Sequence, residues 1–306
     1  MHWIDWIIIG ALLAVLCGVL YWCQRYVKST ADFLAAGRCA RRYLLTITSG
    51  IAGIGAISIV GSFEQSYAAG FTPVWWGFLT GPIGLVIAIT GFVYYRLRET
   101  RCLTMAQFFE VRYSRDFRVF SGILGWVSGI LNYGIFPAVS VKFFIHFCKL
   151  PETFRIAGIN FDFSTYPCLL GFAIGLGVVF AIFGGQIAIM LTDFVQGQFC
   201  NIAFLAIMVY MVSIFRWDVI FEALRDFESA NPGQSLFNPY NTSRLEDFNI
   251  WYFLVGIAIM LMTQGAWQGG SQYNAAAKSA HEAKMARFLG GWRCLVQSAL
   301  MIFIPI

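Results

Sequence analysis

The chain contains seven apolar stretches, each long enough to cross a lipid bilayer, and the start of an eighth. These candidate spans are residues 4–23, 43–67, 74–95, 117–147, 166–183, 192–215 and 250–270, and the eighth opens near Cys294. A helix needs about 20 residues to traverse roughly 30 Å of hydrocarbon. In lipid, only helices and closed barrels satisfy all of their own backbone hydrogen bonds. The apolar runs here are continuous, whereas the strands of a barrel alternate between apolar and polar residues, so the runs indicate helices. The sequence therefore predicts an all-α polytopic membrane protein.

The basic residues fall on alternate loops between these spans. Fifteen of the 21 Lys and Arg residues follow the first, third or seventh span, whereas the opposite side, which includes residues 216–249, carries six. Because Lys and Arg are enriched in cytoplasmic loops, we expect a multi-pass protein of the plasma membrane with its N-terminus outside. The net charge of +5 then reflects topology. The expected partner is the lipid bilayer, and no nucleic-acid partner is expected.

The second and seventh spans are interrupted by small and polar residues. Residues 49–58 read SGIAGIGAIS, and residues 264–274 read QGAWQGGSQYN. In the second span, glycines serve either close helix packing or a discontinuous helix whose freed carbonyls coordinate a cation. In the seventh, the alternative to an interrupted helix is a polar helix end from Gly269 onward. Two interrupted helices four spans apart are typical of the first helices of two structural repeats.

Glu64 is the one acidic residue well inside the second span. An intramembrane carboxylate is by default a functional hypothesis, so Glu64 and its neighbour Gln65 are predicted to contact a solute. The alternative is that the helix ends near Ser62 and that Glu64 lies in a water-filled outer vestibule. The sequence leaves both open.

Aromatic and basic residues near the spans complete the pattern. Trp75, Trp76, Trp251 and Tyr252 lie close to predicted span ends, where we expect them to be interfacial anchors. No Arg or Lys lies deep within a predicted span, so the sequence shows no cation for a solute carboxylate. No nucleotide loop or catalytic triad pattern appears, and we expect that the protein is not an enzyme.

Three segments carry a resemblance to a known family. They are residues 31–38 (ADFLAAGR), 103–113 (LTMAQFFEVRY) and 184–196 (GGQIAIMLTDFVQ). In this order and on this topology, the chain resembles the solute:sodium symporter family over all of its residues. The resemblance implies a leucine-transporter-type inverted-repeat fold with one extra N-terminal helix. Residues 1–306 would form one transporter domain, in which 4–23 is the extra helix, 43–215 the first five-helix repeat and 250–306 the start of the second.

The resemblance also implies a function. The expected activity is sodium-coupled symport, by alternating access, of a small polar organic solute such as a sugar or polyol, with Na⁺ as a co-transported ion rather than a bound cofactor. Because the chain ends within an apolar run, we expect it to be truncated in the second repeat. The alternative is a transporter-like sensor module of a histidine kinase.

Site residues follow from the same resemblance. Backbone carbonyls of Ile54 and Ile57, beside Ser58, are expected to form part of a sodium site, because Na⁺ takes oxygen ligands. Asp193 is expected on the route by which sodium leaves, with the alternative that it opens the sixth helix as an N-terminal carboxylate. The residues expected to face the solute on the seventh span are Met260, Thr263, Gln264 and Trp267.

Overall fold

The computed structural model describes residues 2–155, 162–263 and 268–306, and it is mostly helical. The helices are α1 (Trp3–Cys23), α2 (Thr30–Ala35), α3 (Arg42–Ile51), α4 (Ala56–Ala69), α5 (Thr72–Thr90), α6 (Tyr94–Glu99), α7 (Met105–Arg112), α8 (Arg115–Phe147), α9 (Thr165–Ile214), α10 (Trp217–Ala230), α11 (Ile250–Met262), α12 (Gln268–Ala275), α13 (Ala280–Arg293) and α14 (Leu295–Phe303). Strands β1 (Thr153–Arg155) and β2 (Asp162–Ser164) pair antiparallel. Gln24–Tyr26 and Ala36–Arg38 form short 3₁₀ turns.

Several helices have the length and apolar character of membrane spans. Four qualify in the described part of the chain, namely Trp3–Tyr26, Thr72–Glu99, Arg115–Phe147 and Thr165–Ile214, and the bent pair α3 and α4 makes a fifth. Helix α9 has 50 residues, which is about 75 Å and far more than one bilayer crossing needs. Its backbone is interrupted at Gly185, between the two spans predicted at 166–183 and 192–215.

The interruption at Gly185 lets two of the resemblance segments meet. Gly185 has φ 54° and ψ −162°, a conformation that is essentially restricted to glycine. A Cβ at this position would lie 2.9 Å from Cδ2 of Phe33 and 3.1 Å from its backbone. The first inner loop therefore packs directly on the kink of α9.

The main core forms where helices of the predicted first repeat meet the segment from α12 to α13. Its buried residues include Leu45 on α3, Met190 on α9 and Tyr273 on α12, which are 2%, 1% and 8% exposed. Ala277 and Ala283, which are also buried, bring the chain between α12 and α13 against the same cluster. This core fixes α3 relative to α12 and α13.

Backbone and arginine contacts reinforce this junction next to the basic loops. Ala40 and Ala277 form a parallel bridge, in which the N–H of Lys278 donates to the carbonyl of Ala40 at 2.7 Å. The buried guanidinium of Arg98 donates to the carbonyls of Ala277 and Lys278. Three segments far apart in sequence are thereby joined.

Arg42 and Glu282 add an ion pair to the junction. The Arg42 Nη2 and Glu282 Oε1 atoms are 2.6 Å apart, and the backbone N–H of Arg42 donates to Oε2 at 2.7 Å. Ala40, Arg42, Arg98, Ala277 and Glu282 are together called the inner clamp below. The clamp joins the start of α3 to the start of α13.

The ion pair predicts a pH dependence of stability. The pKa of Glu282 is lowered to about 2, first by the hydrogen bond from the Arg42 side chain and then by that from the Arg42 backbone N–H. Because the folded-state pKa is below the ordinary value of 4.5, the contribution is fully present above that pH and is lost as pH falls toward about 2. We expect Glu282→Gln to lower the thermal midpoint at neutral pH by about 2–4 °C. In this variant, the thermal midpoint should also lack the part of its fall below about pH 4.5 that protonation of Glu282 causes in the wild type.

The measurement is thermal unfolding of the full-length protein in detergent at a series of pH values. The matched control is Glu99→Gln, which removes an exposed ion pair with Arg96 and should leave the midpoint nearly unchanged. If Glu282→Gln and Glu99→Gln have the same thermal midpoints at every pH, the ion pair of the clamp does not stabilise the fold more than an exposed ion pair does.

Candidate functional site

The second predicted span is broken near its middle. Helices α3 and α4 are bent by 71° across residues 52–55, so the predicted discontinuity of this span is confirmed. The break coincides with the glycine-rich run, since glycine weakens a helix by about 1 kcal/mol relative to alanine. Among the described residues, Phe136 of α8 comes nearest to Gly55, with its Cδ1 atom 3.8 Å from a Cβ built there.

Polar backbone groups are exposed at the break. The Ser58 hydroxyl accepts the N–H of Gly55 at 2.8 Å and donates to the carbonyl of Gly55 at 2.8 Å. Within the described residues, no donor reaches the carbonyl of Ile54. Ile57 lies in the first turn of α4, where its carbonyl belongs to the helix. Of the two predicted carbonyl ligands, that of Ile54 is the one that accepts no hydrogen bond among the described residues.

A cavity of about 700 Å³ lies between α4, α5 and α11, and it is called the outer cavity because it lies on the side predicted to be outside. Gln65 and Met260, which were predicted separately, both line it. Trp76 forms another wall and stacks on Phe253 at 5.6 Å between ring centroids. Trp76 is only 5% exposed, so its prediction as an interfacial anchor is wrong. The ring is held inside the bundle by this stack and by Tyr240, whose ring centroid lies 6.4 Å from that of Trp76.

Glu64 and Gln65 are adjacent in sequence but lie in different surroundings. Helix α4 continues to Ala69, so the alternative that the helix ends near Ser62 is wrong. The Glu64 side chain is nevertheless exposed, and it lines none of the described cavities. Adjacent residues of a helix face different directions, which is why Gln65 lines the cavity and Glu64 does not. A role for Glu64 in solute binding stays a prediction.

A second cavity of about 1100 Å³ lies between α3, α5, α12 and α13, and it is called the inner cavity because it lies toward the side predicted to be cytoplasmic. Its walls include Ser49 and Gly50 of α3, Thr263 at the end of α11, and Asn274 of α12. The Thr263 hydroxyl donates to the carbonyl of Ile259 at 2.8 Å. Met260 and Thr263, less than one turn apart, thus line two different cavities. Gln264 and Trp267 lie outside the described residues.

Asp193 joins α9 to α12. The Tyr273 hydroxyl donates to Asp193 Oδ2 at 2.5 Å, and Tyr273 belongs to the main core. Asp193 lies more than two turns beyond Gly185 within α9, so the alternative that it opens a helix is wrong. The hydrogen bond ties the predicted sodium exit route to α12.

Arg293 is a site residue that the sequence reasoning missed. It was counted in an inner loop, but it is the last residue of α13, and a Cβ on Gly50 would lie 2.0 Å from its Nη2 atom. The sequence did contain a pattern that marks the start of this helix, namely the Ser-x-x-Glu pattern at Ser279 and Glu282. The Ser279 hydroxyl does accept the N–H of Glu282, at 3.2 Å. Because α13 starts there, its end reaches the broken helix.

A bundle of helices long enough to span a membrane, with a broken second span and two cavities, is typical of membrane transporters. The chain belongs to the sodium:solute symporter family, since residues 33–306 match the family described as "Sodium:solute symporter family". The predicted family resemblance is therefore confirmed.

Individual relatives agree with this assignment. A sodium/proline symporter of Staphylococcus aureus is 23% identical over 223 residues, which cover 71% of this chain and 41% of that protein. The counterpart in strain JH9 is 23% identical over 224 residues, with the same coverage. The chain thus spans about two fifths of the length of these curated relatives.

A solved structure has the same fold. It is a Na⁺-coupled sialic acid symporter in a substrate-bound outward-open state, with a TM-score of 0.74, 15% sequence identity, and coverage of 99% of this chain and 61% of that one. The leucine-transporter-type fold is confirmed by this likeness. The boundaries of the two repeats, and the truncation of the second, stay predictions.

Proposed function

We propose that the protein is a sodium-coupled secondary active transporter that imports a small polar organic solute by alternating access. The observation that carries the proposal is the break between α3 and α4, where the Ile54 carbonyl has no donor among the described residues. In transporters built from inverted repeats, unwound backbone at the midplane coordinates the coupling ion. Na⁺ is co-transported cargo here, and the family and its structural neighbour are transporters rather than enzymes.

The roles of the site residues form part of the proposal. The carbonyls of Ile54 and Ile57 and the hydroxyl of Ser58 contribute to a sodium site, and Asp193 lies on the exit route. The solute-facing residues are Glu64, Gln65, Met260, Thr263, Gln264 and Trp267. The solute is a sugar, a polyol or another small polar molecule, and the names of the relatives include proline and sialic acid. The protein lies in the plasma membrane with its N-terminus outside.

Uptake into proteoliposomes tests the function. The full-length gene product should accumulate one solute of a panel containing L-proline, N-acetylneuraminate, galactose and myo-inositol when Na⁺ is imposed outside. Accumulation should vanish when K⁺ replaces Na⁺ on both sides. Uptake driven equally by a K⁺ or proton gradient would contradict the proposal. Sodium-dependent binding without uptake would favour the sensor alternative.

Ser58→Ala tests the sodium site. Removal of the hydroxyl leaves the Gly55 N–H without its partner, while the Gly55 carbonyl keeps the N–H of Ile59, so the geometry of the break loosens. We expect the Na⁺ concentration for half-maximal uptake to rise by about 5–10-fold, because a lost hydrogen bond costs about 1 kcal/mol or slightly more. The matched control is Ser140→Ala on α8, whose hydroxyl donates to the Phe136 carbonyl of its own helix. An unchanged Na⁺ dependence in Ser58→Ala would remove Ser58 from the site.

A further inference from the structure

The described wall of the inner cavity is positively charged. The guanidinium groups of Arg287 and Arg293 both line the cavity, and no Asp or Glu is found among its described lining residues. The other polar side chains of this wall, such as those of Ser49, Thr263 and Asn274, are neutral. Charges interact strongly at the low dielectric of a bundle interior, and a cleft lined by one sign of charge concentrates ligands of the opposite sign.

Arg293 has unused hydrogen-bonding capacity. Its Nε atom is buried and has no partner among the described residues. Its Nη2 atom donates to the Cys294 sulfur at 3.0 Å, which is a weak acceptor. The ion pairs described in the chain do not include Arg293. A half-buried guanidinium in this situation is favourable only when an acceptor binds to it.

The position of Arg293 places its charge at the end of the cavity that adjoins the broken helix. Arg293 is the last residue of α13, about 20 Å along the helix from its start beside the inner clamp. The guanidinium lies against Gly50, because this glycine leaves room for it, and Gly50 immediately precedes the break after Ile51. Arg287 stands nearer the clamp, with its guanidinium 5.4 Å from the centroid of the Tyr94 ring.

We propose that Arg293 binds the carboxylate of an anionic solute in the inner cavity and thereby restricts the transported solutes to organic acids and amino acids. The guanidinium offers planar, paired donors that match a carboxylate, which an ammonium group does not. Arg287 is a second cation between this position and the inner clamp. The inference deepens the proposed function and rests on it for transport, although the binding step can be measured separately.

The experiment uses the full-length protein purified in detergent and the same protein in proteoliposomes. Binding is measured as the concentration-dependent rise of the thermal midpoint with L-proline, N-acetylneuraminate or lactate as carboxylate probes, and with galactose or myo-inositol as neutral probes. At least one carboxylate is expected to bind, and no neutral probe. Arg293→Gln should weaken that binding by about tenfold or more, whereas Arg293→Lys should retain part of it.

Two further variants keep the result interpretable. Gly50→Ala favours the helix but places a methyl group where the guanidinium lies, and the flexible end of Arg293 must move. It should weaken carboxylate binding in the same direction as Arg293→Gln while the protein stays folded. Arg225→Gln is the matched control, since Arg225 is exposed on α10 and lies outside both cavities.

The outcomes separate this inference from the proposed function. Carboxylate binding that depends on Arg293, without sodium-driven uptake, supports the inference and contradicts the proposed function. Sodium-driven uptake of a neutral solute, or of a carboxylate unaffected by Arg293→Gln, overturns the inference and leaves the function intact. Absence of carboxylate binding also overturns it. So does a co-purifying anionic phospholipid that Arg293→Gln releases while no soluble carboxylate binds.

Discussion

Gly70→Ala is expected to destabilise the protein by about 3 kcal/mol or more and to release the outer loop that follows α10. Gly70 ends α4 with φ 57° and ψ −126°, and such a backbone costs other residues about 1–3 kcal/mol. A Cβ there would also lie 2.1 Å from the carbonyl oxygen of Leu236. That contact is with backbone, so the loop itself must move. The N–H of Phe71, which donates to the same carbonyl at 2.6 Å, would lose its partner.

Thermal unfolding and limited proteolysis of residues 231–249 measure this effect. We expect a lower unfolding midpoint and faster cleavage within that segment in Gly70→Ala. The matched control is Gly61→Ala on the same helix, where no atom lies within 4 Å of the added Cβ. This change should be neutral or stabilising by up to about 1 kcal/mol. If Gly70→Ala resists protease as well as Gly61→Ala does, the loop does not dock as described.

Tyr273→Phe is the second large effect, with an expected loss of about 1–3 kcal/mol in the free energy of unfolding. The hydroxyl of Tyr273 donates to Asp193, and no other donor to this carboxylate is described. Its removal leaves a carboxylate in the bundle without a partner, which costs more than the hydrogen bond itself contributes. The phenyl ring still fills its place in the core, so the loss in free energy of unfolding measures the hydrogen bond and not the packing of the ring.

A double-mutant cycle with Asp193→Asn isolates the contact. The coupling energy between the two positions should exceed about 0.5 kcal/mol. Tyr133→Phe is the control, because its hydroxyl donates at 2.9 Å to the Ile174 carbonyl from a side chain that is 44% exposed. The free energy of unfolding of that variant should be close to that of the wild type. Strictly additive effects of Tyr273→Phe and Asp193→Asn would mean that the hydrogen bond does not stabilise the fold.

Local sequence patterns were sufficient for the broken helix and the fold class. The glycine run at residues 49–58 predicts an interruption because glycine is a poor helix former, and the bend lies within it. The predicted gap between spans at 183 and 192 likewise contains Gly185, where α9 is kinked. These features depend on residues close together in the chain.

Features that depend on tertiary contacts were not predictable in this way. Trp76 is buried because it stacks on Phe253 of another helix. The sequence pattern of α5 alone does not indicate this partner. The contact between Arg293 and Gly50 likewise joins residues far apart in the sequence. A polar helix such as α13 was read as a loop, because an apolar run was the signal for a span. Arg293 lies outside the predicted spans, and the search for a basic residue within the spans therefore did not find it.

The two halves of the broken helix have different neighbours. Helix α3 packs against α9, α12 and α13, whereas α4 packs against α5, α8 and α14. The inner clamp strengthens the first set of contacts, and residues 52–55 lack the continuous ladder of hydrogen bonds that would make α3 and α4 one rod. At the break the chain can therefore change its bend without first losing a helical turn. The contacts that oppose such a change are those of α13 with α5 and of α14 with α9, which join the two sets of helices.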